Sequence, residues 1–551
     1  MSNGDFVFCR SFPLRVRKLD LMGYARWARL RYASFWLANL PVDGFPVDSS
    51  QAVLLEEQPV RILFASSEAV PFATTGGLGD VCGSLPFALA DLGHDVRVIL
   101  PAYRSVWYAG REIHPLGIEF IVSVGSKTVS GRLLESRADN VTFYFVQQDY
   151  YYDRDALYSV HGQDYADNCE RFVFFDRAVM EAIRLLDFVP DILHSHDWQT
   201  GLIPAYLKIE YSHSPLYRGI GSVFTIHNLA YQGRFWHWDM LLTGLDWKYF
   251  NWQQMEFYGQ LNFLKTGIVF ADTISTVSPR YAQEIQTADS GWGLDGVLRA
   301  RRNTLYGILN GIDDVTWNPA TDPHIAFRFD RQNVFQGKAA CRKALQEEMG
   351  LPVRTNVPLI AMIGRITHQK GFDMVADILP YWLDKEDAQW VILGTGDAEL
   401  EQRFREFADR WPEKIAVRID FCHPLAHRIH AGSDIFLMPS RFEPCGLAQL
   451  QALRYGTVPV VRAIGGLADT IVDCRPETME AGQANGFSFS SEDPWELSRT
   501  LQRACEAYRN PDLWRQLVQI GMSQDWSWRH SAPRYVEMYE DTLRRTRGSA
   551  P

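Results

Sequence analysis

From Val60 onward, short runs of Val, Ile and Leu alternate with longer stretches whose apolar residues recur at helical spacing, which restricts the chain to repeated strand–helix–strand units. Five runs predict strands before residue 230: VRILFAS, DVRVILPAY, VTFYFVQQ, DILHSH and SVFTIHN. A second series, LYGILNGID, PLIAMIGR, QWVILGTG, IAVRIDF, DIFLMPS and TVPVVRA, starts near Thr304. After the first run, Val81, Leu85, Leu89 and Leu92 repeat at helical spacing, so the glycine loop before them opens a helix. A chain of 551 residues exceeds what one hydrophobic core usually holds, and two consecutive α/β blocks follow. Ligands of open parallel sheets bind beyond the carboxyl ends of strands, so function is sought in the polar motifs there.

Charge and composition narrow the partners. The 55 basic and 66 acidic residues give a net charge of -11, which repels polyanions and argues against nucleic acid. No stretch approaches the roughly 18 uninterrupted apolar residues of a membrane span, so a soluble body without a membrane partner is expected. Eight cysteines (Cys9, Cys82, Cys169, Cys341, Cys422, Cys445, Cys474, Cys505) have no C-x-x-C spacing, which suits neither structural zinc nor a disulfide framework and fits a reducing cytoplasm. Residues 1–55 differ in kind: Arg-rich and aromatic, with seven Lys or Arg and two acids in the first forty positions. Three readings of them stay open. They are a targeting segment (a plastid transit peptide included), a disordered or partly helical appendage, or an extension ahead of a true start at Met22 or later.

Gly76, Gly77 and Gly79 in TTGGLGD permit positive φ and close backbone approach. The helix start behind them suits an anion or a sugar hydroxyl, or the loop is a plain tight turn. The spacing is not G-x-G-x-x-G and no acid ends DVRVILPAY, which speaks against a dinucleotide cofactor. In IAMIGRITHQKGFD, Arg365 and Lys370 sit five residues apart on one loop, where they either flank a diphosphate or are merely solvated. In DIFLMPSRFEPCGLAQLQAL, Glu443 precedes Pro444, Cys445 and Gly446 at a helix start, and it either accepts sugar hydroxyls or caps the helix. Gly465 and Gly466 in AIGGLADT repeat that arrangement.

DILHSHDWQTG sets His194 and His196 on one side of a strand end with Asp197 adjacent. No third ligand at zinc-like spacing is visible; one histidine satisfied by backbone groups and another donating to a substrate oxygen is the alternative. Asp167 and Asn168 precede a helix, where an N-cap is the plain reading. TIHNLAYQG, which carries Asn228 and Gln232, and ILNGID are further polar strand ends. The absence of G-x-S-x-G, P-loop and H-E-x-x-H patterns removes the commonest hydrolase readings.

Taken in order, SSEAVPFATTGGLGDV, HSHDWQTG, FTIHNLAYQG, FLKTG, STVSPRYAQEI, ILNGIDDVTWNP, GRITHQKG, SRFEPCGLAQL and GGLADT resemble the bacterial glycogen synthases and plant starch synthases, glycosyltransferase family 5 with the GT-B fold. That resemblance runs from about Val60 to Tyr539. It implies two Rossmann-like, doubly wound parallel-sheet α/β domains facing a deep cleft: an acceptor-side domain at 59–303 with the glycine loop and a donor-side domain at 304–525. A helix at 526–551 would cross back to the first domain, and residues 1–58 would be an extension.

The implied reaction is retaining transfer of glucose from ADP-glucose, a substrate, to the nonreducing 4-OH of an α-1,4-glucan such as glycogen or a maltooligosaccharide, with no cofactor and no metal. By that resemblance Arg365 and Lys370 match the pair holding the donor's diphosphate, Glu443 the carboxylate at the donor glucose, His196 the histidine near that glucose, and Asp167 an active-site acid. N–H groups of Cys445, Gly446 and Leu447 would cradle the donor, with Gly76, Gly77, Gly465 and Gly466 beside it, while Thr74, Tyr152, Asn228 and Gln232 would line the acceptor side. Retention in this fold is ascribed to front-face attack, the departing phosphate oxygen taking the acceptor's proton, so no nucleophile is assigned.

Two places depart from the family pattern: FCHPLAHRI, where an acidic residue often replaces Pro424 or His423, and the glycine loop. The glycine loop usually begins with lysine, and here it begins with Thr74. A charge-assisted hydrogen bond is worth about 1.5–3 kcal/mol, so its loss implies roughly tenfold to hundredfold weaker binding or rate. A UDP-glucose-preferring or weakly active synthase, and a glucan-binding or priming protein with impaired catalysis, are the rival expectations.

Overall fold

The computed structural model describes residues 59–160 and 162–548, so the expectations for residues 1–58, including Cys9, lie outside the described residues. The first lobe is built on a nine-stranded sheet: β1 (Arg61–Ala65), β2 (Asp95–Pro101), β3 (His114–Val124), β4 (Lys127–Ala138), β5 (Val141–Gln147), β6 (Ile192–His196), β7 (Gly221–Ile226), β8 (Thr273–Thr276) and β9 (Leu305–Gly307). Their spatial order is β9-β8-β7-β6-β1-β2-β5-β4-β3. The central strands β1, β6 and β7 are buried almost throughout, which is why they read as unbroken apolar runs in the sequence.

Two features of this sheet differ from the sequence expectation. It is mixed, because β3 and β4 form an antiparallel hairpin at one edge, and β4 also pairs antiparallel with β5. Along β3 burial alternates, with Phe120, Val122 and Val124 inside and Ile121 outside, so the strand has no continuous apolar run to notice. The second difference is LYG, expected to open the second series. As β9 it pairs in parallel with β8, Leu305 opposite Ile274, and so completes the first sheet.

The second lobe carries six parallel strands: β10 (Leu359–Ile363), β11 (Gln389–Gly394), β12 (Ile415–Ile419), β13 (Ile435–Met438), β14 (Val458–Arg462) and β15 (Phe487–Phe489). Their order, β12-β11-β10-β13-β14-β15, is the doubly wound 3-2-1-4-5-6 arrangement. The winding reverses between β10 and β13, and in the first lobe between β1 and β6. Such switch points leave a crevice beyond the strand ends.

The helix Gly77–Asp91 buries Val81, Leu85 and Leu89 as their spacing predicts, while Leu92 is its C-cap and 49% exposed. At the far end of the chain, the helix Trp528–Arg547 returns to the first lobe and sinks Ala532, Tyr535, Met538 and Tyr539 into its core. Its polar anchors are Tyr539 to His194 (2.8 Å), Thr542 to Thr273 (2.8 Å) and Arg547 to Asp191 (2.6 Å). Among the described residues no helix is long and apolar enough to cross a membrane.

Candidate active site

Residues that follow the strand ends of one sheet touch residues that follow the strand ends of the other. Arg365, after β10, donates to the Tyr231 hydroxyl, after β7, at 2.9 Å. Ser278, after β8, donates to Asp469, after β14, at 2.6 Å. Trp292 meets Phe442 edge-on with ring centroids 5.5 Å apart. The two carboxyl ends therefore face each other, and the motifs of both lobes share one crevice.

On the second lobe, the loops after β10 and β13 are tied together. The Arg441 N–H donates to the Gln369 carbonyl at 2.8 Å, and its guanidinium grips Asp373 through two bonds of 2.7 and 2.8 Å. Gly371 has φ +74°, and a Cβ there would lie 2.3 Å from the Pro439 carbonyl oxygen, so only glycine lets the loops come this close. The tie sets the Lys370 ammonium 2.5 Å from the Glu443 carboxylate, which also accepts from the Ser440 hydroxyl at 3.0 Å. Glu443 is 6% exposed and makes no cap bond to the helix Ala448–Arg454, so the capping reading does not hold. Lys370 is ion-paired, so bare solvation does not describe it either.

The same loop continues against Gly465 and Gly466. A Cβ on Gly465 would lie 2.0 Å from the Glu443 carbonyl oxygen, and one on Gly466 would lie 2.1 Å from that of Cys445. The Gly466 N–H is spent on the Glu443 and Pro444 carbonyls, and the Gly465 N–H on both oxygens of Glu284 from the first lobe. These two glycines therefore serve close packing and offer no open donors, contrary to the expectation for them. The N–H groups of Cys445, Gly446 and Leu447, by contrast, have no acceptor among the described residues. These three unspent donors precede the helix Ala448–Arg454, on the loop that carries Glu443. Burial pushes the Cys445 thiol up to about 12, so it is not a nucleophile.

On the first lobe, none of Gly76, Gly77 and Gly79 lies in the left-handed region; Gly76 is extended, with φ 173°. Their smallness matters instead. A Cβ on Gly76 or Gly77 would meet nothing within 4 Å, so both leave open space, whereas one on Gly79 would strike the Thr74 hydroxyl at 2.5 Å. Sequence reasoning missed the group that shapes this loop: buried Glu68 accepts from the Thr75 N–H, the Thr75 hydroxyl (2.8 Å) and the Tyr158 hydroxyl (2.7 Å). A glutamate at an otherwise apolar strand end was the available signal. Thr74 itself is exposed, its hydroxyl 3.3 Å from the Gly76 carbonyl.

The two histidines at the end of β6 differ in their partners, and those of His194 are side-chain hydroxyls in place of the expected backbone groups. Both nitrogens of His194 are bonded, to Tyr539 at 2.8 Å and Thr225 at 2.6 Å, so it is a core residue. His196 stacks on Phe64 with centroids 5.0 Å apart and shares Nδ1 with His227 Nε2 at 3.0 Å, while its buried Nε2 has no partner. Burial, with His194 and His227 adding to it, holds the His196 imidazole well below its usual range and therefore neutral. The His194–His196 pair gains no third group; instead Cys82, His196 and His227 each bring a sulfur or ring nitrogen within 4.8 Å of the others.

Asp197 sits at φ 57°, a left-handed conformation unusual for a residue other than glycine, and its carboxylate accepts the His227 N–H at 2.7 Å. Burial pushes its carboxyl up to about 7, against the N–H groups of His227 and Asn228 that favour the anion. The folded protein thus holds this proton more tightly than the unfolded chain does. Its stabilising contribution is complete below about pH 4 and lost as pH rises through 7. Asp197→Asn, which keeps the acceptor and cannot ionise, is expected to stabilise the fold at pH 8 by on the order of 2–4 kcal/mol and to change little at pH 4. Thermal melts of both proteins at the two pH values check this.

The remaining expected site residues are placed as follows. Asp167 stands at the N-cap position of the helix Asn168–Leu185 but makes no cap bond; it is gripped by both Arg154 nitrogens. Burial raises its pKa and the Arg154 guanidinium outweighs that, so it stays ionised below the usual range. Tyr152 does not line the crevice: it is fully buried with its hydroxyl on the Arg171 carbonyl at 2.9 Å. A run of three tyrosines gave no sign of which one faces inward. Gln232 is also buried, bonded to the Trp292 carbonyl (3.1 Å) and Asn262 (2.8 Å), and supports the loop from behind. Asn228 is partly exposed, its side chain accepting the Ala230 N–H at 3.1 Å.

The site gains context from known proteins. Residues 61–300 match the starch synthase catalytic domain family, and residues 357–507 match glycosyl transferases group 1. A glycogen synthase of Syntrophotalea carbinolica is 48% identical over 484 residues, covering 88% of this chain and 99% of the relative. One of Rhodopirellula baltica is 43% identical over 497 residues, covering 88% and 98%. Among solved structures, the catalytic domain of starch synthase IV from Arabidopsis thaliana, bound to ADP and acarbose, superposes with a TM-score of 0.82 at 32% identity, covering 88% of this chain and 99% of that one.

Proposed function

Since the chain belongs to the glycogen synthase and starch synthase family, we propose that its crevice transfers glucose from ADP-glucose to the nonreducing 4-OH of an α-1,4-glucan, with retention of configuration and without a metal ion in the transfer step. The observation that carries this reading is the group formed by Lys370, Glu443 and the three unspent N–H groups of Cys445, Gly446 and Leu447. Breaking the sugar–phosphate bond builds positive charge on the anomeric carbon and negative charge on departing ADP. Fixed donors beside the phosphates stabilise the second of these and are typically worth about 10²–10³ in rate each.

In this reading the 2.5 Å Lys370–Glu443 pair is the ligand-free arrangement. An incoming diphosphate competes for the ammonium, and the released carboxylate turns to the hexose hydroxyls. Among the described residues Arg365 is held by the Tyr231 hydroxyl and ring and by Gln369, and it swings from them onto the same phosphates. His196 offers its unpartnered Nε2 to a sugar oxygen, as a neutral imidazole that does not repel the developing cation. Asp167, kept ionised by Arg154, is assigned to the acceptor side with Asn228, and Thr74 to the cleft lining where the glycine loop meets the donor. The lobe boundary is placed between β9 and β10, and a cytoplasmic location is proposed.

The test is incorporation of radiolabel from ADP-glucose into glycogen by purified protein in the presence of a chelator. Turnover is expected, with ADP released faster than UDP from the corresponding UDP-glucose reaction. Glucan binding without turnover would contradict the proposal. Thr74→Lys introduces an ammonium into open space beside Gly76 and Gly77, and it should lower KM for ADP-glucose by roughly tenfold. An unchanged KM would remove this loop from donor binding.

A further inference from the structure

We infer that Cys82, His196 and His227 form an inhibitory zinc site, at which Zn²⁺ captures the histidine used for glucosyl transfer and shuts the reaction off. The inference rests on the proposed function for its consequence, though not for the binding itself. The three residues come from separate elements that meet at the first lobe's switch point: Cys82 from the helix after the glycine loop, His196 from the tip of β6, and His227 from the residue after β7. One ligand atom from each lies within 4.8 Å of the other two, and all three side chains are buried. A thiolate with two imidazoles is a donor set that zinc takes in tetrahedral sites with one position left open.

The Asp197 carboxyl lies beside the site and accepts the His227 N–H at 2.7 Å. The imidazoles of His196 and His227 are held neutral by burial, the form that binds metal. His196 Nδ1 and His227 Nε2 stand 3.0 Å apart, close enough for one ion to meet both. On binding, the thiol proton leaves to solvent, and the proton between the two imidazoles moves to another nitrogen of its own ring. His227, 8% exposed, is the most accessible of the three.

The experiment uses full-length protein stripped with a chelator and then titrated with Zn²⁺. Activity is expected to fall at least about tenfold as the site fills. Cys82→Val keeps the buried volume and removes the sulfur; its zinc-free activity should stay within about twofold of the parent. The loss of an outer-shell partner alone typically costs about 10–100-fold in metal affinity, so loss of this ligand should raise the zinc needed for inhibition by about a hundredfold or more. Co²⁺ added to the parent protein should give a thiolate-to-cobalt charge-transfer band that Cys82→Val lacks. Equal zinc sensitivity in the two proteins, or no thiolate band in the parent, would overturn the inference. If the zinc-free parent were inactive while the band appeared, the proposed function would fail and the metal site would stand.

Discussion

Replacing Lys370 with alanine is expected to lower kcat/KM for ADP-glucose by about two to three orders of magnitude, the usual effect of removing a preorganised charge from a reacting centre. Two consequences of that substitution can be separated, because Lys370 also neutralises Glu443, which is 6% exposed. Removing one partner of a buried pair leaves the other charge uncompensated, and this destabilises the fold. Lys370→Ala combined with Glu443→Gln removes the stranded charge, so the double variant should regain melting temperature and no activity. Lys370→Arg should not restore the rate, since a planar guanidinium does not fit the geometry of an ammonium seated 2.5 Å from one carboxylate oxygen. Steady-state kinetics and thermal melts on the three variants check all of this.

The second large effect is expected from Gly466→Ala, at a residue that touches no ligand in the proposed reaction. The added Cβ would lie 2.1 Å from the Cys445 carbonyl oxygen and 2.5 Å from its Cα, both backbone atoms that cannot step aside alone. The Glu443–Leu447 segment must shift by on the order of 1 Å, and a misplacement of that size costs about 10²-fold in rate. Gly77→Ala is the matched control, because a Cβ there meets nothing within 4 Å and the fold should be unaffected. A Gly466→Ala protein with normal kcat/KM would mean that this loop does not position the reacting groups.

Much of this arrangement was legible in the sequence, and the exceptions have physical causes. The buried central strands of both sheets announce themselves as unbroken apolar runs. The edge hairpin does not, since half its side chains face solvent; its better signal was the two-residue connection at Gly125 and Ser126, where Gly125 takes φ 60°. Lys370 and Glu443 are 73 residues apart in the chain, and their meeting depends on the Gly371–Pro439 approach, which no local pattern encodes. Gly465 and Gly466 looked like a second anion loop because close packing and open N–H groups both call for glycine. Cys82 has no C-x-x-C partner in the sequence, because the residues near it in space, at 196 and 227, are brought to it by the order of β1, β6 and β7 in the sheet.

Glucosyl transfer depends on Lys370 and Arg365 facing a diphosphate while Glu443 turns to the hexose, and a crystal structure of the protein with ADP and a maltooligosaccharide tests this most directly. The expected result is the Lys370 ammonium withdrawn from Glu443, with both it and the Arg365 guanidinium about 3 Å from phosphate oxygens and the N–H groups of Cys445, Gly446 and Leu447 pointing at the same anion. Phosphates bound elsewhere, with the Lys370–Glu443 pair intact at 2.5 Å, would contradict it.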